Sequence, residues 1–192
     1  DFCLSRGLGD VYKRQMLGRS VEMLKELLEQ LKPYKIPGIV VTITNPADIV
    51  ADYVRKGLGL ERNRVFGTGT LLDTARLIRT LSEESGVGRR SIQAYSLGEH
   101  GDSSMIPFSS VTIGGLPFDA YDISKEKVLE ATRQIGMTII EGKKSTEFGI
   151  GRALTEMAAC ILRDEKKIMP ASVLLQGEYG QHDVHCGCLL YT

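Results

Sequence analysis

No stretch of the sequence stays apolar for the roughly 20 residues that a bilayer-spanning helix needs, so no helical membrane span is expected. Neither sign of charge is in excess. The 24 Lys and Arg residues are matched by 24 Asp and Glu, which removes the electrostatic case for nucleic acid or an anionic membrane as a partner. Cysteine is scarce and badly placed for a framework: Cys3, Cys186 and Cys188 lie near the ends, and only Cys160 falls inside a helical pattern. No spacing suggests disulfides or a zinc site, so the chain reads as a reduced, cytoplasmic protein without a metal. Repeats and low-complexity segments are lacking as well.

Also missing is a Gly-x-Gly-x-x-Gly after a strand, the turn that cradles a dinucleotide pyrophosphate. Gly67-Thr68-Gly69 and Gly149-Ile150-Gly151 come nearest, and neither continues correctly.

What is present is a mixed α and β pattern long enough for one or two cores. Val21, Leu24, Leu27, Leu28 and Leu31 have the spacing of an amphipathic helix over 17–31, closed by Pro33 and Pro37. Gly38 to Thr44 is a β-branched run expected as an interior strand of a parallel sheet. Asn45-Pro46 follows at its carboxyl end, where open α/β sheets bind ligands. The tight turn predicts a cis bond there, with Asn45 capping a helix over 47–56.

A short strand, Arg64 to Phe66, leads to a helix ending at Gly86. Ser91 to Leu97 and Met105 to Ile113 read as strands, Lys125 to Gly142 and Phe148 to Arg163 as helices. Ile168 to Leu175 and Asp183 to Cys186 read as a hairpin. Helices segregated from antiparallel strands point to an α+β second half.

Two stretches carry chemistry. Gly98-Glu99-His100-Gly101 sets a histidine in a glycine-flanked turn after an apolar run, and histidine titrates where protons move at physiological pH. Asp73 and Arg76 stand three apart at the start of a helical pattern, so they share a face. An aspartate beside the imidazole would fix its tautomer and favour its protonated form. An arginine beside both would suit a carboxylate. The plainer readings are a loop histidine, an aspartate at the positive end of its helix and a solvated arginine.

Four motifs in order resolve these alternatives: Thr44-Asn45-Pro46-Ala47-Asp48, Asp73-Thr74-Ala75-Arg76, Gly98-Glu99-His100-Gly101-Asp102-Ser103 and Ser145-Thr146-Glu147-Phe148-Gly149. From about Met16 to Gly187 the chain resembles the lactate/malate dehydrogenase family, on its bacterial L-2-hydroxyacid side. The resemblance implies the C-terminal part of a Rossmann-type NAD-binding domain over 16–68, then an α+β substrate domain over 69–187. Residues 1–15 and 188–192 fit neither and are expected to be non-native tails. About a hundred residues, with the first strands of the dinucleotide-binding sheet, are expected before Met16.

By the resemblance, His100 is the acid/base, Asp73 its partner, and Arg76 the grip on the substrate carboxylate. Asn45 contacts substrate or the nicotinamide ribose, and Thr44 belongs to that cofactor side. Thr146 either faces the substrate or only caps the helix that follows. NAD is the implied cofactor, a small 2-hydroxy or 2-oxo acid the substrate, and a homodimer or homotetramer the expected assembly. Glu99 favours lactate over malate, since many malate-type members have glycine there. Members activated by fructose 1,6-bisphosphate carry cations where this chain has Ile78 and Gln93, so no such activation is expected. NAD-dependent family-4 glycosidases, which need a Cys/His metal site, are disfavoured because Cys160 and His182 lack that context.

Overall fold

The computed structural model describes residues 21–101, 103–143 and 146–192; the expected tail 1–15 lies outside them. The chain divides into two compact units. One holds the residues up to Gly67 together with Val173–His185, the other Thr68–Ser172 together with Cys186–Thr192.

In the first unit, helix α1 spans 21–31. Strand β1 (Val40–Thr42) then leads through helix α2 (Ala47–Leu58) to strand β2 (Val65–Gly67). The strands are parallel, with Val40 opposite Val65 and Thr42 opposite Gly67, and α2 packs on both. Val50 and Val54, one helical turn apart, meet Leu28 of α1 and Val65 of β2 in the core. This is a β-α-β crossover, the building block of parallel α/β sheets.

The strand order is β1-β2-β6-β7, where β6 is Ile168–Gln176 and β7 is His182–Tyr191. Among the described residues β1 is therefore an edge strand, not the interior one expected. Its apolar flanks Ile39 and Ile43 are 45% and 44% exposed, because only one side has a neighbour.

The Asn45–Pro46 bond is cis, as the turn suggested. The capping expectation for Asn45 is corrected: Pro46 occupies the cap position of α2, with no side-chain cap. Its carbonyl accepts the Val50 N–H.

The second unit is α+β. Helix α3 (Leu71–Ser85) ends at Gly86 as expected. Strands β3 (Ile92–Gln93), β4 (Thr112–Ile113) and β5 (Leu116–Pro117) form an antiparallel sheet. Helices α4 (Lys125–Lys143) and α5 (Phe148–Leu162) follow, and α3 packs on both. Leu77 and Leu81 of α3 interlock with Ile92, Ile113, Phe118 and Val128, and all six are nearly or wholly buried.

Two long strands expected from the sequence are much shorter. Only Ile92–Gln93 of the run 91–97 is a ladder strand, with an isolated bridge from Leu97 to Met105 further along. Within 105–113, Pro107 removes a donor and the chain coils into a 3-10 turn at Phe108–Ser110 before β4. The hairpin strands are longer than expected, and β7 continues through Cys188 to Tyr191.

Candidate active site

The second unit brings together three of the six residues singled out in the sequence. Asp73 and Arg76 rise from the first turns of α3, where their three-residue spacing lets the Arg76 Nη1 donate to Asp73 Oδ1 at 2.9 Å. The other carboxylate oxygen, Oδ2, is 2.5 Å from Nδ1 of His100. One carboxylate thus serves two partners, one oxygen for each.

The three side chains are shielded but reachable, 15%, 14% and 22% exposed for Asp73, Arg76 and His100. Burial pushes the Asp73 pKa up. The hydrogen bond and charge of His100, joined by those of Arg76, outweigh it and hold the carboxyl below the ordinary aspartate value.

The turn carrying His100 is held from several sides. Gly98 sits at φ +85°, a conformation that glycine adopts without steric cost. It exchanges backbone hydrogen bonds with Gly187, and Leu97 does so with Met105. One step earlier the buried Ser96 N–H donates to Thr74 Oγ1 on α3 at 2.9 Å. Glu99 folds back to accept from the Ser103 hydroxyl.

Arg76 has a neighbour that the sequence did not flag. A Cβ added at Gly136 of α4 would lie 3.1 Å from Arg76 Nη1, so the α4 backbone closes directly over the guanidinium. A glycine inside a helix, where it costs roughly 0.5–1 kcal/mol relative to alanine, was the available signal.

The Nε–H of Arg76 is buried and has no hydrogen-bond partner among the described residues. Leaving such a donor unsatisfied costs on the order of 1–3 kcal/mol, and an anion placed there would relieve it.

The remaining candidates lie elsewhere. Thr44 and Asn45 are in the first unit, exposed, in the turn between β1 and α2. Thr146 is half-buried just before α5, and its capping expectation is corrected because Glu147 holds the cap position. The first turn of α5 does press on α3, since a Cβ at Gly149 would touch Leu72, the residue before Asp73.

A cavity of about 430 Å³ in the same unit takes in none of the three site residues. It lies along Leu71, Thr74 and Ile78, another face of α3, with Gln93 and Lys167 on its walls. Among the described residues no cluster of His, Cys, Asp and Glu could hold a metal ion, and no helix is long and apolar enough to cross a membrane.

Thr44 and Asn45 offer polar groups beside the carboxyl end of a parallel strand, where α/β sheets bind ligands. The sequence contains no glycine-rich loop for the pyrophosphate.

Comparison with known proteins shows the family. Residues 70–191 match the lactate/malate dehydrogenase, alpha/beta C-terminal domain family. An L-lactate dehydrogenase of Mycoplasma pneumoniae is 42% identical over 95% of the chain and 61% of its own length. L-lactate dehydrogenase 1 of Bifidobacterium longum is 38% identical over 89% of the chain and 57% of its own length.

Among solved structures, the L-lactate dehydrogenase of Clostridium thermocellum superimposes with a TM-score of 0.86 at 30% identity, covering 93% of the chain and 61% of that protein. The malate dehydrogenase of Aeropyrum pernix also gives 0.86, at 33% identity, over 93% of the chain and 59% of its own. The chain thus spans about three-fifths of the length of these relatives. On the strength of that family match, and with the aspartate, arginine and histidine of its motifs gathered at one place, the chain belongs to the lactate/malate dehydrogenase family.

Proposed function

We propose that the chain is the catalytic part of an NAD-dependent dehydrogenase that interconverts (S)-lactate, or a related L-2-hydroxy acid, with its 2-oxo acid. The observation that supports this most is the divided Asp73 carboxylate, with His100 on one oxygen and Arg76 on the other, beside a buried Arg76 Nε–H that has no partner among the described residues.

In this reading the substrate carboxylate docks on Arg76, whose planar fork matches it. The Nε donor then gains an acceptor that the described residues do not supply. With Nδ1 turned to Asp73, Nε2 of His100 is the nitrogen that faces the reacting oxygen. It gives a proton to the carbonyl of the oxo acid, or takes one from the hydroxyl of the hydroxy acid. Asp73 fixes the tautomer and stabilises the imidazolium. Such positioned proton transfer is worth on the order of 100- to 10,000-fold. NAD, when bound, supplies or accepts the hydride. Thr44 and Asn45 are assigned to its nicotinamide side, and Thr146 to the substrate.

Glu99, preceding His100, supports lactate over malate; malate dehydrogenase is the second reading, kept because malate dehydrogenases match the fold equally well. A homodimer or homotetramer in the cytoplasm is the assembly and location that go with this function.

Oxamate, which presents a carboxylate next to a carbonyl, tests the anion site directly. Titrated into the chain, it should move the NMR signals of the Arg76 Nε–H and of the His100 ring, and Arg76→Leu should abolish both changes. Signals unmoved at millimolar oxamate would sink the reading. Turnover of pyruvate against oxaloacetate by the full-length gene product separates lactate from malate.

A further inference from the structure

We infer that the Thr74 hydroxyl is a positioning group that sets the His100–Asp73 contact, an inference that rests on the function proposed above. Thr74 follows Asp73 on α3 and is 6% exposed, while Ser96, whose N–H it accepts at 2.9 Å, is 2% exposed and lies four residues before His100. One turn of α3 therefore holds the histidine twice, by its ring through Asp73 and by its backbone through Thr74.

The Ser96 donor lies beyond β3, which ends at Gln93, so no sheet ladder takes it. Without the hydroxyl it would be a buried, unpaired backbone N–H, which native proteins rarely tolerate.

Other helical threonines behave differently. The hydroxyls of Thr132, Thr138 and Thr155 donate to carbonyls four residues back on their own helices, the usual local bond for this side chain. Thr74 turns its oxygen to a segment 22 residues away. Leu97 and Gly98, between Ser96 and His100, are held by backbone pairs to Met105 and Gly187. Those pairs fix the turn against neighbouring strands; Thr74 fixes it against the helix that carries Asp73. A segment released from α3 at Ser96 takes the imidazole with it, and a 2.5 Å contact weakens when stretched.

The test is the pH titration of the His100 ring, followed by NMR in the chain itself and in Asp73→Asn, Thr74→Val and Thr74→Ser. Among the described residues, Asp73 pairs with the ring, Arg76 pairs with Asp73, and Glu99 precedes the ring in its turn; all three are unchanged in the Thr74 variants. Asp73→Asn should lower the midpoint, because the charge that favours the protonated ring is gone. Thr74→Val, equal in shape but without the acceptor, should lower it by roughly half a pH unit, about threefold in proton affinity. Thr74→Ser should restore the original value.

A Thr74→Val midpoint equal to the unsubstituted one, or a Thr74→Ser midpoint equal to that of Thr74→Val, overturns the inference alone. An Asp73→Asn midpoint that does not move overturns the proposed function, and the inference with it. Should Thr74→Val fail to fold, hydrogen exchange of the Ser96 amide in the unsubstituted chain decides. Strong protection is expected, and exchange at the rate of an open amide overturns the inference.

Discussion

Each unit of this chain contains a histidine–aspartate pair, and the two pairs have opposite characters. In the second unit, His100 and Asp73 meet at 2.5 Å with 22% and 15% of their side chains exposed. In the first, His185 of β7 lies 3.2 Å from Asp52 of α2 with its side chain 1% exposed. That contact is close but not aligned, and neither ring nitrogen has a hydrogen-bond partner among the described residues.

Asp52 is also committed elsewhere, at 2.5 Å to Lys56 and 3.5 Å to Arg55. Burial lowers the His185 pKa, and the positive charges of Arg55 and Lys56 add to that effect against the pull of Asp52. Asp73, by contrast, holds one oxygen for its histidine and one for Arg76. Residue types alone do not make a proton-handling site. Alignment and access for a ligand matter as well, and the His100–Asp73 pair has both where the His185–Asp52 pair has neither.

The comparison can be broken hardest at the exposed pair. In the full-length gene product, His100→Ala should cut kcat on the order of 100- to 10,000-fold while leaving NADH binding intact, and Asp73→Asn should follow it. Asp52→Asn should leave the rate within about twofold, since neither it nor His185 takes part in the proposed chemistry. Retained turnover in His100→Ala would remove it as the acid.

Arg76→Leu should weaken the 2-oxo acid by several kcal/mol, as expected for a desolvated charge pair. An unchanged KM would count against the carboxylate role.

Next in size are the effects of pH on stability. A histidine whose folded pKa is depressed favours folding above its unfolded value near 6.5. That stability is lost as pH falls through the lower folded value. Melting of the first unit should therefore steepen its decline just below pH 6.5, and His185→Phe should flatten the slope. Asp73 has the same sign but a lower window. Its contribution is complete above the ordinary aspartate value of 3.8 and is lost only as pH falls below it. A scan from neutral to acid should thus disturb the first unit before the second; the reverse order would contradict the contrast.

The smallest expected effect is none at all. Fructose 1,6-bisphosphate should leave KM unchanged, because Ile78 and Gln93 carry no charge to receive it. A clear fall in KM refutes this.

Periodic and punctuated features of this chain could be read directly. The apolar spacing gave α2 through α5 to within a few residues and the end of α1, whose expected first residues 17–20 lie outside the described ones, and Gly86 marked the end of α3. The i, i+3 spacing of Asp73 and Arg76 anticipated their contact because it is local. His100 joined them through motif resemblance, since a 27-residue separation leaves no periodic trace.

Long-range pairing is where the reading fell short. The apolar run 105–113 looked like one strand, yet Pro107 splits it. The β-branched run before Asn45 looked interior, but strand order is a property of distant partners. Thr74 and His185 went unremarked for the same reason. Their partners Ser96 and Asp52 are remote in sequence, and a threonine in a helix or a histidine in a strand announces nothing by itself.

The divided carboxylate of Asp73 has a last consequence, for anyone who would redesign this site. On the proposed function, recognition of the acid and handling of its proton would run through the same carboxylate, so they would not be separable modules. Tightening the hold on Arg76 drains charge from the oxygen facing His100, and loosening it does the reverse. Double substitutions within the trio should be strongly non-additive. A transplant into another scaffold would have to carry the helical turn 73–76 as a block, together with whatever presents the histidine to it.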